Sequence, residues 1–387
     1  MPWKEHRAMS SRIEFIEKAS QRSANISALC REYGISRQTG HKWLKRYQEH
    51  GYEGLEEESR RPAATPLATG EEIVAALLAA RVKYPRWGPK KLVVVLRRTF
   101  GELTPSERTV HRILLRFSRT RLRRKKRGLS VVERAPDVVA AASNDIWTID
   151  FKGWWRAVDG TRCEPLTIRD AHSRFVLVVK LLERCTGDRV RLVMERLFRR
   201  HGIPRAIQCD NGSPFISSQS AAGLTRLSAW WVSLGISVVR SRPACPQDNG
   251  AHERMHADIA GDLQIDPAAT FALQQRACDR WVKVFNHVRP HEALGGATPA
   301  ERYSSSATKL VTRLYSYPID WIRRSVSASG CIRLNGEDYF VSTALQGYQV
   351  ALKPSNGLRR RVWFHDVDLG EIEIADEPSC RVLQNAG

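Results

Sequence analysis

Arg205-Ala206-Ile207-Gln208-Cys209-Asp210-Asn211-Gly212 is the stretch on which the reading of this chain turns. Ala206 to Cys209 has the composition of a short strand, Asp210 stands just past its end, and Asn211-Gly212 lets the backbone turn away. A second acid, Glu253, follows with 42 residues between, in Pro246-Gln247-Asp248-Asn249-Gly250-Ala251-His252-Glu253-Arg254-Met255-His256, where a helix-like run begins. A third, Asp150, lies 60 residues before Asp210 in Ile146-Trp147-Thr148-Ile149-Asp150-Phe151-Lys152, which is strand-like. Two strands and a helix thus offer carboxylates that can meet at one end of a sheet.

Such a meeting suits phosphodiester chemistry. Cleavage needs a nucleophilic oxygen, a shielded phosphate and a stabilised leaving oxygen, and two divalent ions roughly 3.5–4 Å apart supply all three. Hard ions such as Mg²⁺ take oxygen ligands and retain several waters. Asp150, Asp210 and Glu253 are therefore the candidate catalytic and metal-ligating residues. Asp248 competes for the third place, but its Pro246-to-Gly250 surroundings read as loop. A lone Asp after a strand is usually a turn or cap residue. The case rests on three acids in order, each in a fitting context. Asp170 and Asp188 have ordinary readings, in a turn and in the first turn of a helix.

The composition points the same way. The chain has 387 residues and a formal net charge of +21, which calls for a polyanionic partner, nucleic acid or an anionic membrane. There is no run of about 18 apolar residues and no apolar stretch behind Met1 to Arg7, so neither a spanning helix nor a secretory signal is expected. That leaves nucleic acid as the leading partner class and the cytoplasm as the expected place. The eight cysteines form no Cys-x-x-Cys pair, which argues against a zinc knuckle and for reduced thiols.

The pattern divides the chain into 1–60, 61–128, 129–304 and 305–387. Residues 10 to 60 read as helical. Ser27 and Ser36 are candidate N-caps, Gly34 suits a tight turn, and Leu29, Ile35, Trp43, Leu44 and Tyr47 make a buried side. Arg37, Gln38, His41, Lys42 and Lys45 then face outward, the layout of a helix-turn-helix with its second helix in the major groove. A second such unit follows: Glu71 to Lys83 is an amphipathic helix, Leu92 to Arg98 a second, and Ser106 caps a third bearing Arg108, His111 and Arg112. Between Arg119 and Arg127 seven of nine residues are basic, including Arg123, Arg124, Lys125, Lys126 and Arg127, a run that repels itself unless phosphates order it. From 144 to about 300 strand and helix patterns alternate: a hairpin turning at Asp170 to Arg174, a helix capped by Thr186, the strand before Asp210, a helical run from Ala221 to Leu234, and a strand at Ser237 to Val239. That is an α/β layer with a mixed sheet, RNase-H-like in arrangement. From Ile322 onward strand signals crowd together around the Asn335-Gly336 hairpin, as in a small β-barrel.

At these residues a resemblance enters. The Trp147-to-Lys152 block, Asp210-Asn211-Gly212-Ser213-Pro214-Phe215, and Arg242-Pro243 through His256 resemble the three blocks of a bacterial insertion-sequence DDE transposase with a retroviral-integrase-like core. Phe285-Asn286-His287-Val288-Arg289-Pro290-His291-Glu292-Ala293-Leu294, with Thr298-Pro299 after it, is similar to the block that closes that core. The resemblance spans nearly the whole chain and is least secure after residue 305. It implies cleavage of transposon ends and strand transfer, two Mg²⁺ or Mn²⁺ ions on Asp150, Asp210 and Glu253, binding of terminal inverted repeats and target DNA, and a homo-oligomer, dimer or tetramer, on DNA. Asn249 and Arg254 would support the core around Glu253. One departure stands out: a basic residue is common two turns beyond the Glu, and Ala260 occupies that place here. Two other readings remain, an RNase-H-like nuclease without strand transfer and a catalytically silent DNA-binding regulator of transposition.

Overall fold

The computed structural model describes residues 5–57, 68–120, 140–218, 220–241, 250–310, 315–354 and 359–374. The basic run from Arg123 to Arg127, Asn249 and Asp248 lie outside them. The chain divides into two compact units, Met1–Ala68 and Thr69–Gly387.

The first unit is three helices, α1 (Glu5–Ala19), α2 (Ile26–Glu32) and α3 (Arg37–His50), closed by a short 3-10 turn at Gly51–Leu55. Phe15, Ile16, Cys30, Ile35, Trp43 and Leu55 form its core, with Leu29, Leu44 and Tyr47 packed half-buried against it. Ser36 caps α3, its side chain accepting from Thr39 N. At α2 the cap is Asn25, which accepts from Ala28 N, and the Ser27 expected there lies inside the helix. Asn is as good an N-cap as Ser, and the turn formed two residues earlier than the serine suggested. Gly34 has φ of 64° in the turn between α2 and α3, where a side chain would be strained.

The second unit opens with α4 (Glu71–Lys83), α5 (Pro89–Phe100) and α6 (Glu107–Arg116), the last capped by Ser106. Their core holds Leu77, Trp87, Leu92, Leu96, Val110 and Leu114, and it continues onto Val284 and Val288 of the domain that follows.

That domain is built on a mixed sheet. β1 (Ile146–Phe151) pairs antiparallel with β3 (Arg162–Asp170) and parallel with β5 (Ala206–Cys209); β3 pairs antiparallel with β4 (Val176–Leu182) and with the short β2 (Trp155–Arg156); β5 pairs parallel with β6 (Ser237–Arg240). One face, with Trp147, Ile149, Leu166 and Ile168, packs on α7 (Gly187–His201) and α8 (Arg226–Ser233). The other is covered by α9 (Gly250–Ile259) and α10 (Phe271–His287), where Met255, Ile259, Trp281 and Phe285 meet Val176, Val179 and Leu181. The helical run from Ala221 is broken: a 3-10 turn occupies Ala221–Gly223, and α8 starts afresh with Thr225 and Ser228 in a reciprocal capping box.

The C-terminal part departs from a closed barrel. β7 (Ile322–Ser325), β10 (Gln349–Pro354), β11 (Arg359–Phe364) and β12 (Val367–Glu373) form an open antiparallel sheet in the order β12-β11-β10-β7, while β8 (Cys331–Leu334) and β9 (Glu337–Phe340) make a separate hairpin. Asn335 and Gly336 both have positive φ in that hairpin turn, as the Asn-Gly pair requires. Closure is unnecessary because the apolar face is covered from outside: Val350, Leu352, Val362 and Phe364 share a core with Ile332 and Leu334 of the hairpin and with Ala229 and Val232 of α8.

Candidate active site

Strand register puts Asp150 and Asp210 at the same end of the sheet. β1 and β5 run parallel with Thr148 opposite Gln208, so continuing by two residues sets Asp150 level with Asp210 at the C-terminal ends of neighbouring strands. Asp210 is exposed just past β5. Its Oδ1 accepts from Gly212 N at 3.2 Å, and Asn211 Nδ2 donates to Ser241 O at 2.8 Å, which holds the turn against the end of β6. Buried Cys209 senses both acids: its thiol is pushed up to about 12, first by burial, then by Asp210 and Asp150.

Alternation along β1 places Thr148 and Asp150 on one face. The antiparallel partners of these two are Arg169 and Thr167, so four polar side chains share that face, and α9 lies across it. His252 Nδ1 meets Thr148 Oγ1 at 2.9 Å, and His252 Nε2 meets Thr167 Oγ1 at 2.6 Å. His256 Nε2 lies 2.8 Å from the same Thr167 oxygen. Thr167 Oγ1 also donates to the Asp150 carbonyl at 2.9 Å, and Arg169 Nη1 donates to Ala251 O at 2.8 Å. Burial holds both imidazoles neutral: His252 is well below its usual pKa, and His256 is pushed down to about 4, with Lys152 and Arg169 adding.

Glu253 sits in the first turn of α9, exposed, one residue from His252. The groups gathered about Asp150 are His252 and His256, with one ligand-type atom from each of the three residues lying within 4.8 Å of the others. The places of Asp150 and Asp210 at strand ends and of Glu253 at a helix start were legible in the sequence. The two histidines were quoted there only as surroundings of Glu253, although their i, i+4 spacing puts them on one helix face. Lys152 was passed over too; its Nζ donates to Gln264 Oε1 at 2.6 Å, and burial lowers its pKa.

Arg37, Gln38, His41, Lys42 and Lys45 are all exposed on α3, and Arg108, His111 and Arg112 are exposed on α6. Arg254 is exposed on α9. It helps hold down Lys91 of α5, which is pushed to about 8 chiefly by burial and then by Arg289. Past Ile259 the helix widens into a π-turn, Ala260–Gln264, at the very position lacking the common basic residue. Arg86 lies against that turn, its Nε 3.2 Å from Asp262, and a Cβ on Gly261 would overlap its guanidinium.

Integrase core domain profiles match residues 140–246 and 234–299. A helix-turn-helix domain profile matches 11–63, and a homeodomain-like one matches 39–114. The insertion element IS476 uncharacterized 39.2 kDa protein of Xanthomonas euvesicatoria is 24% identical over 64% of this chain and 69% of its own length. The insertion element IS407 uncharacterized 31.7 kDa protein of Burkholderia multivorans is 23% identical over 62% of this chain and 83% of its own. Among solved structures, the HTLV-2 integrase catalytic core in complex with magnesium is 17% identical, covering 43% of this chain and 99% of that one, with a TM-score of 0.34. The chain thus carries helix-turn-helix domains ahead of an integrase core and is similar over about two thirds of its length to proteins of bacterial insertion elements.

Proposed function

We propose that this protein binds the terminal inverted repeats of its element and catalyses metal-dependent DNA cleavage and strand transfer at Asp150, Asp210 and Glu253. The reading is supported by the parallel pairing of β1 and β5, which leaves Asp150 near the end of one strand and Asp210 just past the end of the other, and by Glu253 in the first turn of α9. The chemistry of the three residues would suit divalent ions: carboxylates from separate elements, with Asp210 and Glu253 exposed. Ions bound there would supply Lewis-acid charge at the scissile phosphate and a water of lowered pKa. The chain's own part is placement. β1 and β5 fix the two Asp carboxylates, and α9 is tied to β1 and β3 through His252 and Thr167, which sets the height of Glu253 over the sheet. The exposed cations of α3 and α6, with the basic run of 119–127, would hold phosphates and read base edges, so that the strand to be cut meets the acids. Two ends and a target must be processed together, which calls for a homo-oligomer on double-stranded DNA.

Replacing Asp210 by Asn keeps the shape of the side chain and removes its charge. Cleavage of a DNA fragment carrying the element's end should fall by roughly 10²-fold or more, the scale on which one transition-state-stabilising group is felt. Affinity for the same fragment, measured without added metal, should change little. Cleavage that survives in Asp210→Asn would remove this acid from the chemistry.

A further inference from the structure

We propose that His256 is a nitrogen ligand of the ion held by Asp150, oriented for that role by the hydroxyl of Thr167. The inference rests on Asp150 being a metal-binding carboxylate.

The argument is a count of protons. Thr167 Oγ1 has one proton to give and two lone pairs. It makes three contacts, to the Asp150 carbonyl at 2.9 Å, to His252 Nε2 at 2.6 Å and to His256 Nε2 at 2.8 Å. A carbonyl oxygen only accepts, so the hydroxyl proton goes to Asp150 O, and both imidazoles donate from Nε2. His252 then needs a donor at Nδ1, and Thr148 Oγ1 at 2.9 Å supplies it. Both nitrogens of His252 are therefore used, and it has no lone pair left for a metal. His256 uses only Nε2 among the described hydrogen bonds, so its Nδ1 keeps a lone pair.

A metal-bound imidazole commonly donates its second ring N–H to an outer partner that fixes the tautomer and the ring. Thr167 already does this for His256, and Thr167 is also hydrogen-bonded to the backbone of Asp150 itself. One carboxylate oxygen of Asp150 and one ring nitrogen from each of His252 and His256 lie within 4.8 Å of one another. Glu253 lies three residues before His256 on α9, a spacing that makes the two side chains neighbours on a helix. Asp150 and His256 thus offer a carboxylate and an imidazole in one cluster, with Glu253 outside that cluster on the same helix. A nitrogen donor shifts preference from Mg²⁺ toward Mn²⁺ and the later first-row ions.

The test uses the full chain loaded with Mn²⁺ and pulsed electron paramagnetic resonance to detect nitrogen bound to the ion. The wild type should show directly coordinated nitrogen, and His256→Asn should lose it. Thr167→Val should weaken Mn²⁺ binding about ten-fold or more, as loss of an outer partner commonly does, and Thr167→Ser should restore it. Asp150→Asn should abolish Mn²⁺ binding. Binding that depends on Asp150 but shows no nitrogen signal overturns the ligand assignment and leaves the carboxylate reading standing. A nitrogen signal that persists in His256→Asn does the same. Mn²⁺ binding unchanged in Asp150→Asn removes the carboxylate reading, and the inference falls with it. Should His256→Asn fail to fold, the wild-type spectrum and the Thr167 pair still decide.

Discussion

At the scale of single residues, Thr167 joins two strands and a helix through one oxygen atom, and no charge is involved. That joint was not legible in the sequence. Asp150, Asp210 and Glu253 could be read from their strand and helix contexts, since strand ends and helix starts are local features. Which helix face meets the sheet depends on how α9 is rotated about its axis, a matter of tertiary packing, and so His252 and His256 stood as bystanders. Another histidine gives a test of the fold rather than of the site. His201, at the end of α7, is pushed down to about 4 from 6.5, chiefly by burial and then by Arg200. The unfolded chain therefore takes up a proton near 6.5 that the fold refuses until about 4. Stability should fall as pH drops through that window and be indifferent to pH above it. His201→Gln, followed by thermal melting across pH, should flatten part of this loss. The remainder belongs to other buried histidines such as His291, pushed down to about 3 chiefly by burial. A profile identical to the wild type would show that His201 does not carry the effect.

At the scale of elements, α3 is the sharpest correspondence between pattern and structure. Its buried side is anchored by Trp43, which Arg12 covers at 4.1 Å while donating to Leu55 O at 2.8 Å. Its outer side presents the polar set expected from the alternation of apolar and charged positions. Replacing Arg37, Gln38 and Lys42 with Ala should weaken binding to the element's ends, by about 1–3 kcal/mol for each residue that reads a base. A gel-shift series with scrambled ends separates the two kinds of contact, because a phosphate contact weakens all sequences alike. Unchanged affinity and specificity would move the recognition surface away from α3. Gly40 tests the packing of the same helix. A Cβ there would sit 2.5 Å from Cys30 Sγ and 3.0 Å from Phe15 Cζ, so Gly40→Ala should cost about 1–3 kcal/mol by overpacking. Calorimetry should show the loss in the transition of the 1–68 unit, and an undisturbed melt would mean the neighbours relax freely. The C-terminal strands were readable one by one, down to the Asn335-Gly336 turn. Their failure to close was not, because α8, which shares their core, lies some hundred residues upstream.

At the scale of the whole molecule, the helical segment α4–α6 is packed onto the integrase-like domain. Lys90 pairs with Glu292 at 3.0 Å, Arg98 with Glu301 at 3.1 Å, and Arg86 with Asp262 beside α9. The first two pairs are exposed and worth little each; the shared apolar contact with Val284 and Val288 holds the join. The sequence pattern separated these parts at the basic run because a charge run reads as a linker, and contacts that leap across it leave no local mark. Among the described residues no helix is long and apolar enough to cross a membrane, and the formal net charge of the chain is +21. The central claim is that three acids from β1, β5 and α9 act as one metal-dependent centre, and Glu253, the exposed member, is where it is most open to refutation. The measurement is the rate of Mg²⁺-dependent cleavage at the element's end by Glu253→Gln beside the wild type, with DNA affinity measured in parallel. The prediction is a fall of roughly 10²-fold or more in rate with affinity retained. Cleavage at the wild-type rate by Glu253→Gln would contradict it.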